Sequence, residues 1–263
     1  MPRANRHYLP GLVWHITHRC HNRGYLLKSK PQKRCWLRWV REARNRYDLR
    51  VLNYAVTDNH VHLVAFDHND EQPIAASMRL IAGSTAQRYN SVWNRSGAYW
   101  EDRYHATAIE TGSHLLRCLA YIDLNMVRAG VVSHPSQWPW GGYAEIQGTK
   151  KRYTLIDVEL LAELLSLPSV QELRRWHQRH VEEALQGKAA EQRDQCWSTS
   201  VAVGSEQFVH GIRQRLRYRF EALGRRTEIM DNGEAHVLRE DRVAYGMPTR
   251  LDNSYPWQSE DAS

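Results

Sequence analysis

Cysteine is scarce in this chain, and its placement excludes two classes of small cross-linked protein. The four residues, Cys20, Cys35, Cys118 and Cys196, are scattered through the sequence. They show none of the paired spacings that form a zinc ribbon or a disulfide framework. We therefore expect four reduced thiols with no part in function.

Long hydrophobic runs are also missing. The mean hydropathy is -0.66, and no apolar stretch approaches the length of about 20 residues that spans a membrane. The first six residues contain no apolar core of the kind that a signal peptide needs. The sequence therefore predicts a cytoplasmic protein, and its 263 residues are enough for one or two domains.

Positive charge is concentrated at the N-terminal end. Residues 1–50 hold thirteen Lys and Arg against two acidic residues, whereas the rest of the chain holds 23 basic and 27 acidic residues. Aromatic residues such as Trp14, Trp36 and Trp39 are interleaved with this charge. Basic side chains neutralise phosphates and aromatic rings stack on unpaired bases, so the pattern favours single-stranded nucleic acid and association with the nucleoid. For residues 33–46, a solvated basic helix face is an equal alternative.

The order of the predicted elements indicates an α+β fold. Residues 11–18 and 50–56 have the composition of strands, and apolar positions over 31–47 recur at helical spacing. A tight hairpin at 57–59 leads to another strand, followed by a helix over 73–93 and a strand over 98–109. This is the order of a ferredoxin-like antiparallel sheet with helices on one side.

Two histidines stand in the strand after the hairpin. His60 and His62 are separated by one residue, so their side chains point to the same side of the strand. Two imidazoles placed in this way can bind one divalent metal ion. The alternative, which is more common for an isolated histidine pair, is that both are ordinary structural side chains.

A predicted helix over residues 114–128 supplies the next candidates. Tyr121 and Asn125 are four residues apart, so they share one face of this helix. With the two histidines they provide a nucleophile and three candidate metal ligands, the set required for metal-assisted cleavage of a phosphodiester by a tyrosine hydroxyl. The alternative is a core tyrosine beside a neighbouring amide.

Four sequence blocks together resemble one protein family. In chain order they read NHVHL (59–63), GAYWEDRY (97–104), AYIDLNMVRAG (120–130) and WPWGGY (138–143). Over roughly residues 8–148, the chain resembles the REP-associated tyrosine transposases. These belong to the insertion-sequence-200-like group of HUH single-tyrosine transposases, where HUH denotes histidine, hydrophobe, histidine.

The resemblance implies an HUH endonuclease fold and metal-dependent cleavage and strand transfer of single-stranded DNA. It implies palindromic, REP-like hairpins as substrates, a covalent phosphotyrosine intermediate and a homodimer as one option. It assigns Tyr121 as the nucleophile and His60, His62 and Asn125 as ligands of Mg²⁺ or Mn²⁺. Met126 stands where relatives usually have proline, and we expect a straighter helix there.

The remaining expectations concern DNA contacts and domain organisation. The candidate DNA contacts are Arg19, Arg23, Trp100, Arg103 and Arg128, with strand packing as the alternative for the segment after residue 98. We expect a catalytic domain over 1–148, a helical extension over 149–230 as a second candidate for DNA binding, and a flexible tail over 231–263. A hairpin-binding protein that does not cut DNA remains the alternative function, but the filled catalytic positions favour the enzyme.

Overall fold

The centre of the molecule is a four-stranded antiparallel sheet. The computed structural model describes residues 9–68, 73–187, 194–222, 227–231 and 233–240. The first four strands are β1 (Leu12–Arg19), β2 (Arg50–Val56), β3 (His60–Asp67) and β4 (His105–Ile109). They lie in the order β2-β3-β1-β4 with antiparallel neighbours. This order confirms the predicted ferredoxin-like α+β fold.

Two long helices, α1 (Lys30–Tyr47) and α2 (Pro73–Val92), pack against each other on one face of this sheet. A capping box starts α1. The Gln32 side-chain oxygen accepts from the N–H of Ser29, and the Ser29 hydroxyl oxygen accepts from the N–H of Gln32. The helix then buries Trp36, Val40 and Ala43 at helical spacing. The predicted amphipathic helix over 31–47 is therefore confirmed.

The segment before β4 differs from its prediction. A strand was expected over 98–109, but β4 begins only at His105, and residues 101–103 form an exposed bend. Trp100 makes a single bridge to Cys20, and its indole N–H donates to the carbonyl of Ala82 in α2. The aromatic residues of this segment therefore pack against α2, and regular strand pairing begins only after them.

The opposite face of the sheet is covered by α3 (Ser113–Asp123) and the single turn α4 (Asn125–Arg128). One continuous helix was predicted over 114–128, but Leu124 has ψ near 0 and separates the two. In an unbroken helix the Tyr121 carbonyl would accept from the N–H of Asn125. Here it accepts from the guanidinium of Arg128 instead. The Arg128 side chain therefore replaces a helical hydrogen bond, and the prediction of one continuous helix over 114–128 is wrong.

Beyond residue 142 the chain adds both helices and strands. The helices are α5 (Tyr143–Ile146), α6 (Val158–Leu164), α7 (Val170–Gln186), α8 (Cys196–Thr199) and α9 (Glu206–Ala222), and the strands are β5 (Ala202–Gly204), β6 (Thr227–Asp231) and β7 (His236–Glu240). The sheet continues past β4 as β5-β7-β6, with β5 parallel to β4. The prediction of a purely helical extension is therefore corrected. These strands have only three to five residues, too few to show a reliable period.

The last predicted segment, the flexible tail over 231–263, is corrected where the structure describes it. Val237 and Leu238 of β7 are buried and pair with β5. Residues 232 and 241–263 lie outside the described residues, and the domain division at residue 148 stays a prediction. Within the described ranges, no helix is long and apolar enough to cross a membrane.

Candidate active site

The two histidines of the predicted metal site lie together at the start of β3. Their ring centroids are 4.9 Å apart, with an angle of 76° between the ring planes. The His62 side chain is almost fully buried, whereas His60 is half-buried. The alternation of side chains along the strand thus places both on the face that α3 covers, as predicted.

Tyr121 and Asn125 approach the same histidine from the helical layer. The ring of Tyr121 lies 6.1 Å from that of His62 in an edge-on arrangement. The Asn125 amide nitrogen lies 3.0 Å from Nε2 of His62. Tyr121 and Asn125 stay on the same side of the chain despite the break at Leu124, because the dihedral angles of Leu124 remain close to helical values. The four candidates therefore form one site.

Arg128 is a fifth member of this site. Its guanidinium carbon lies 4.3 Å from the centroid of the Tyr121 ring, and the same group donates to the Tyr121 carbonyl. A guanidinium over a phenol ring is held by the negative face of the ring. The structure therefore places positive charge directly beside the candidate nucleophile.

The hydrogen bonds of His60 determine which of its nitrogens can bind a metal. Its Nδ1 lies 2.7 Å from Oδ1 of Asn59 and 2.9 Å from Oγ1 of Thr57, and the Thr57 hydroxyl donates to the His60 carbonyl. Since an amide oxygen only accepts, Nδ1 carries the hydrogen and the lone pair lies on Nε2. A metal-binding histidine usually donates the N–H of its other ring nitrogen to a nearby oxygen, as His60 does here.

The donor set fits a divalent cation. Imidazole nitrogens bind first-row divalent metals, and an amide oxygen together with oxygens of a phosphate or water also suits the harder ions Mg²⁺ and Mn²⁺. The described residues contain no group of three or more His, Cys, Asp and Glu side chains able to hold a metal. Asn125, whose amide nitrogen lies 3.0 Å from Nε2 of His62, is the candidate for a third donor. A half-turn of the Asn125 amide group would bring its oxygen to the position beside His62 that its nitrogen occupies here.

A histidine that the sequence did not single out lies behind this site. His15 of β1 is fully buried, and its Nε2 lies 2.9 Å from Nδ1 of His62. Its Nδ1 lies 2.7 Å from the carbonyl oxygen of Trp197 in α8. Burial lowers the pKa of His15 to about 3, so the ring is neutral. The sequence showed only that His15 is a polar residue between apolar neighbours in a strand, and this pattern does not reveal which residue it contacts.

The other predicted DNA contacts lie around the rim of the sheet. Arg23 and Arg103 are exposed, and Arg19 forms a 3.8 Å ion pair with Glu101. Trp100 stacks on His18 at 4.0 Å, so the protein covers one face of its ring. Base contacts by these residues stay predictions.

Comparison with known protein families gives one match. Residues 9–125 match the family model described as IS200-like transposase. The matched region contains His60, His62, Tyr121 and Asn125, and it ends at the last of them.

Two solved structures resemble the chain. One is a REP-associated tyrosine transposase bound to a REP hairpin, with 19% identity, a TM-score of 0.48, and coverage of 56% of this chain and 86% of that chain. The other is a putative transposase from Deinococcus radiodurans, with 18% identity, a TM-score of 0.31, and coverage of 40% and 83%. No protein of curated function matches the sequence.

Proposed function

We propose that this chain is a metal-dependent single-stranded DNA endonuclease and strand transferase with a covalent phosphotyrosine intermediate. The observation that carries the proposal is the meeting of Tyr121 and Asn125 with His60 and His62 at one site inside a transposase region. Palindromic, REP-like hairpins are the proposed substrates, because the four sequence blocks resemble the REP-associated branch of the family.

Tyr121 is the nucleophile in this proposal. Its hydroxyl oxygen forms a bond to phosphorus while the bond to the leaving oxygen of the DNA breaks; the phenol loses its proton and the leaving oxygen gains one. A phenol with a reference pKa of about 10 is a weak nucleophile near neutral pH. The guanidinium of Arg128, 4.3 Å from the ring centroid, favours the negative charge that develops on the tyrosine.

His60, His62 and Asn125 are the residues that would hold the metal ion. When bound, Mg²⁺ or Mn²⁺ withdraws charge from the non-bridging oxygens of the scissile phosphate. The protein contributes orientation: Asn59 and Thr57 hold the His60 ring, and His15 contacts the His62 ring. These contacts keep the ligand nitrogens in place before substrate arrives.

The intermediate explains how cleavage leads to joining. The tyrosine–phosphorus bond is itself a phosphodiester, so it retains the energy of the bond that was broken. A free hydroxyl of another DNA strand can attack it, release Tyr121 and form a new DNA phosphodiester. Strand transfer of this kind needs no ATP.

One chain supplies all the residues of the proposed site. The Tyr121 ring lies 6.1 Å from the His62 ring of the same chain. We therefore propose that the tyrosine acts in cis, so a homodimer is not needed to complete the site.

The test is the formation of a covalent adduct. Purified protein is incubated with single-stranded palindromic oligonucleotides and Mn²⁺, and a protein–DNA species that survives denaturation is sought by gel electrophoresis. We expect an adduct with the wild type and none with Tyr121→Phe. Tyr143→Phe is the matched control, because this buried tyrosine lies outside the site and should leave adduct formation unchanged.

Two outcomes would redirect the proposal. An adduct with Tyr121→Phe would mean that another residue is the nucleophile. Hairpin binding without any adduct from the wild type would identify a binding protein on a transposase fold. In addition, His60→Ala should abolish cleavage but preserve hairpin binding, whereas loss of both would make His60 structural.

A further inference from the structure

A line of hydrogen bonds runs from the C-terminal extension to the proposed metal site. It starts at the carbonyl of Trp197, passes through both ring nitrogens of His15, and reaches Nδ1 of His62. The chain distances are large, since Trp197 is 182 residues from His15 and His15 is 47 residues from His62. Only the folded structure brings these groups into one line.

The direction of the first hydrogen bond is fixed by chemistry. A carbonyl oxygen only accepts, so the 2.7 Å contact between Trp197 and His15 requires a hydrogen on Nδ1 of His15. In a neutral imidazole the other nitrogen then carries the lone pair. The His15 side chain is fully buried, where a neutral ring is favoured. Its Nε2 is therefore an acceptor.

The second hydrogen bond follows from the first. Nε2 of His15 accepts from Nδ1 of His62 at 2.9 Å, which leaves the lone pair of His62 on Nε2. The two ring planes differ by only 10° and the centroids are 5.1 Å apart, as expected for rings joined edge to edge by an in-plane N–H. Nε2 of His62 is the atom that faces Asn125, on the metal-binding side.

The starting point of the line is itself held in place. Trp197 is buried in α8, and the Thr107 hydroxyl of β4 donates to the Ser200 carbonyl at 2.7 Å at the end of this turn. The Trp197 ring also lies 6.1 Å from the Tyr121 ring. The turn α8 thus contacts both halves of the proposed site, although it lies outside residues 9–125.

We propose that His15 is a positioning residue that holds His62 in the Nδ1–H tautomer, and that the Trp197 carbonyl sets the direction of this line. His62 thereby presents the lone pair of Nε2 to the metal without a tautomeric change. The inference rests on the proposed metal site, and it gives the C-terminal extension a role in completing a site whose ligands all lie in the transposase region.

The first measurement uses the metal-free full chain. Nitrogen-15 labelling of histidine and long-range proton–nitrogen NMR spectra report which ring nitrogen carries the hydrogen, and the signals are assigned by substitution. We expect the Nδ1–H tautomer for both His15 and His62. The Nε2–H tautomer at either residue would overturn the proposal, whatever the protein does with metal or DNA.

The second measurement compares substitutions at residue 15. His15→Phe keeps a planar ring but removes the acceptor, so His62 should lose its fixed tautomer, and Mn²⁺ should bind roughly 10–100-fold more weakly. His15→Gln keeps an acceptor oxygen near the end of the side chain and should restore most of the affinity. Equal affinity and an unchanged His62 signal in His15→Phe would overturn the proposal.

His18→Phe is the matched control. His18 lies on the same strand, is also buried and also contacts a backbone carbonyl, that of Asp102 at 2.9 Å, but it faces the α2 side of the sheet. It should affect stability without changing the His62 tautomer or Mn²⁺ affinity. If the wild type binds no Mn²⁺ at all, the metal part of the proposed function fails, while the tautomer measurement still decides the role of His15.

Discussion

Replacing Arg128 by glutamine should slow DNA cleavage more than it weakens DNA binding. The substitution removes the positive charge that lies 4.3 Å from the Tyr121 ring centroid and keeps a side chain of similar polarity. Two unit charges about 4 Å apart attract each other by about 4 kcal/mol at an effective dielectric constant of about 20. Arg128 is half-buried, and the tyrosine carries only part of a charge in the transition state.

Because Arg128 is partly exposed and the tyrosine carries only part of a charge, we expect Arg128 to stabilise the transition state by about half of that attraction. A loss of about 2 kcal/mol in transition-state stabilisation corresponds to a rate reduction of roughly 30-fold. The rate is measured in single turnovers with saturating oligonucleotide, so that weaker binding does not enter the result. Binding is measured separately by fluorescence anisotropy, because Arg128 is also an expected DNA contact.

The charge-conserving substitution separates charge from shape. Arg128→Lys retains the positive charge but loses the planar group that donates to the Tyr121 carbonyl, so we expect a rate between those of the wild type and Arg128→Gln. Cleavage by Arg128→Gln at the wild-type rate would refute the electrostatic role. Equal losses in both variants would instead assign the effect to the helix break at Leu124.

Three further predictions follow from other contacts. If Tyr121 acts in cis, a mixture of Tyr121→Phe and His62→Ala proteins should form no adduct; adduct formation in the mixture would show that the tyrosine acts on a partner's site. Asp123→Ala should lower the free energy of unfolding by about 2–5 kcal/mol, because two buried donors lose the carboxylate acceptor that they share. These donors are His177, at 2.7 Å from the carboxylate, and the amide of Asn53, at 3.2 Å; a loss below about 1 kcal/mol in urea unfolding would contradict this. Alkylation of the native protein should reach Cys35 first, because the other three thiols are buried; early modification of those, measured by mass spectrometry, would contradict the packing described.

Local pattern was enough to predict the first half of the fold. The apolar positions of α1, the hairpin after Val56 and the alternation that puts His60 and His62 on one side are properties of short segments. The same applies to Tyr121 and Asn125, whose spacing of four residues places them on one helix face. These candidates could be named from the sequence because each pair is held together by the geometry of a single element.

Contacts between distant segments were decided only by the tertiary structure. At the break near Leu124, the Arg128 guanidinium donates to a carbonyl seven residues earlier, a contact that the regular helical pattern does not predict. The strand β5 exists because β4 offers it an edge, and three residues carry no period of their own. Helical periodicity in the extension therefore predicted helices but not the strands between them.

The sequence by itself gave the resemblance to a transposase family, the order of the ferredoxin-like core and the candidates for the nucleophile and metal ligands. The tertiary structure alone showed that these side chains lie close together, that Arg128 covers the Tyr121 ring, and that His15 links the Trp197 carbonyl to His62. The physical reason is that a hydrogen bond depends on distance and direction in space. Sequence separations of 47 and 182 residues contain no information about either.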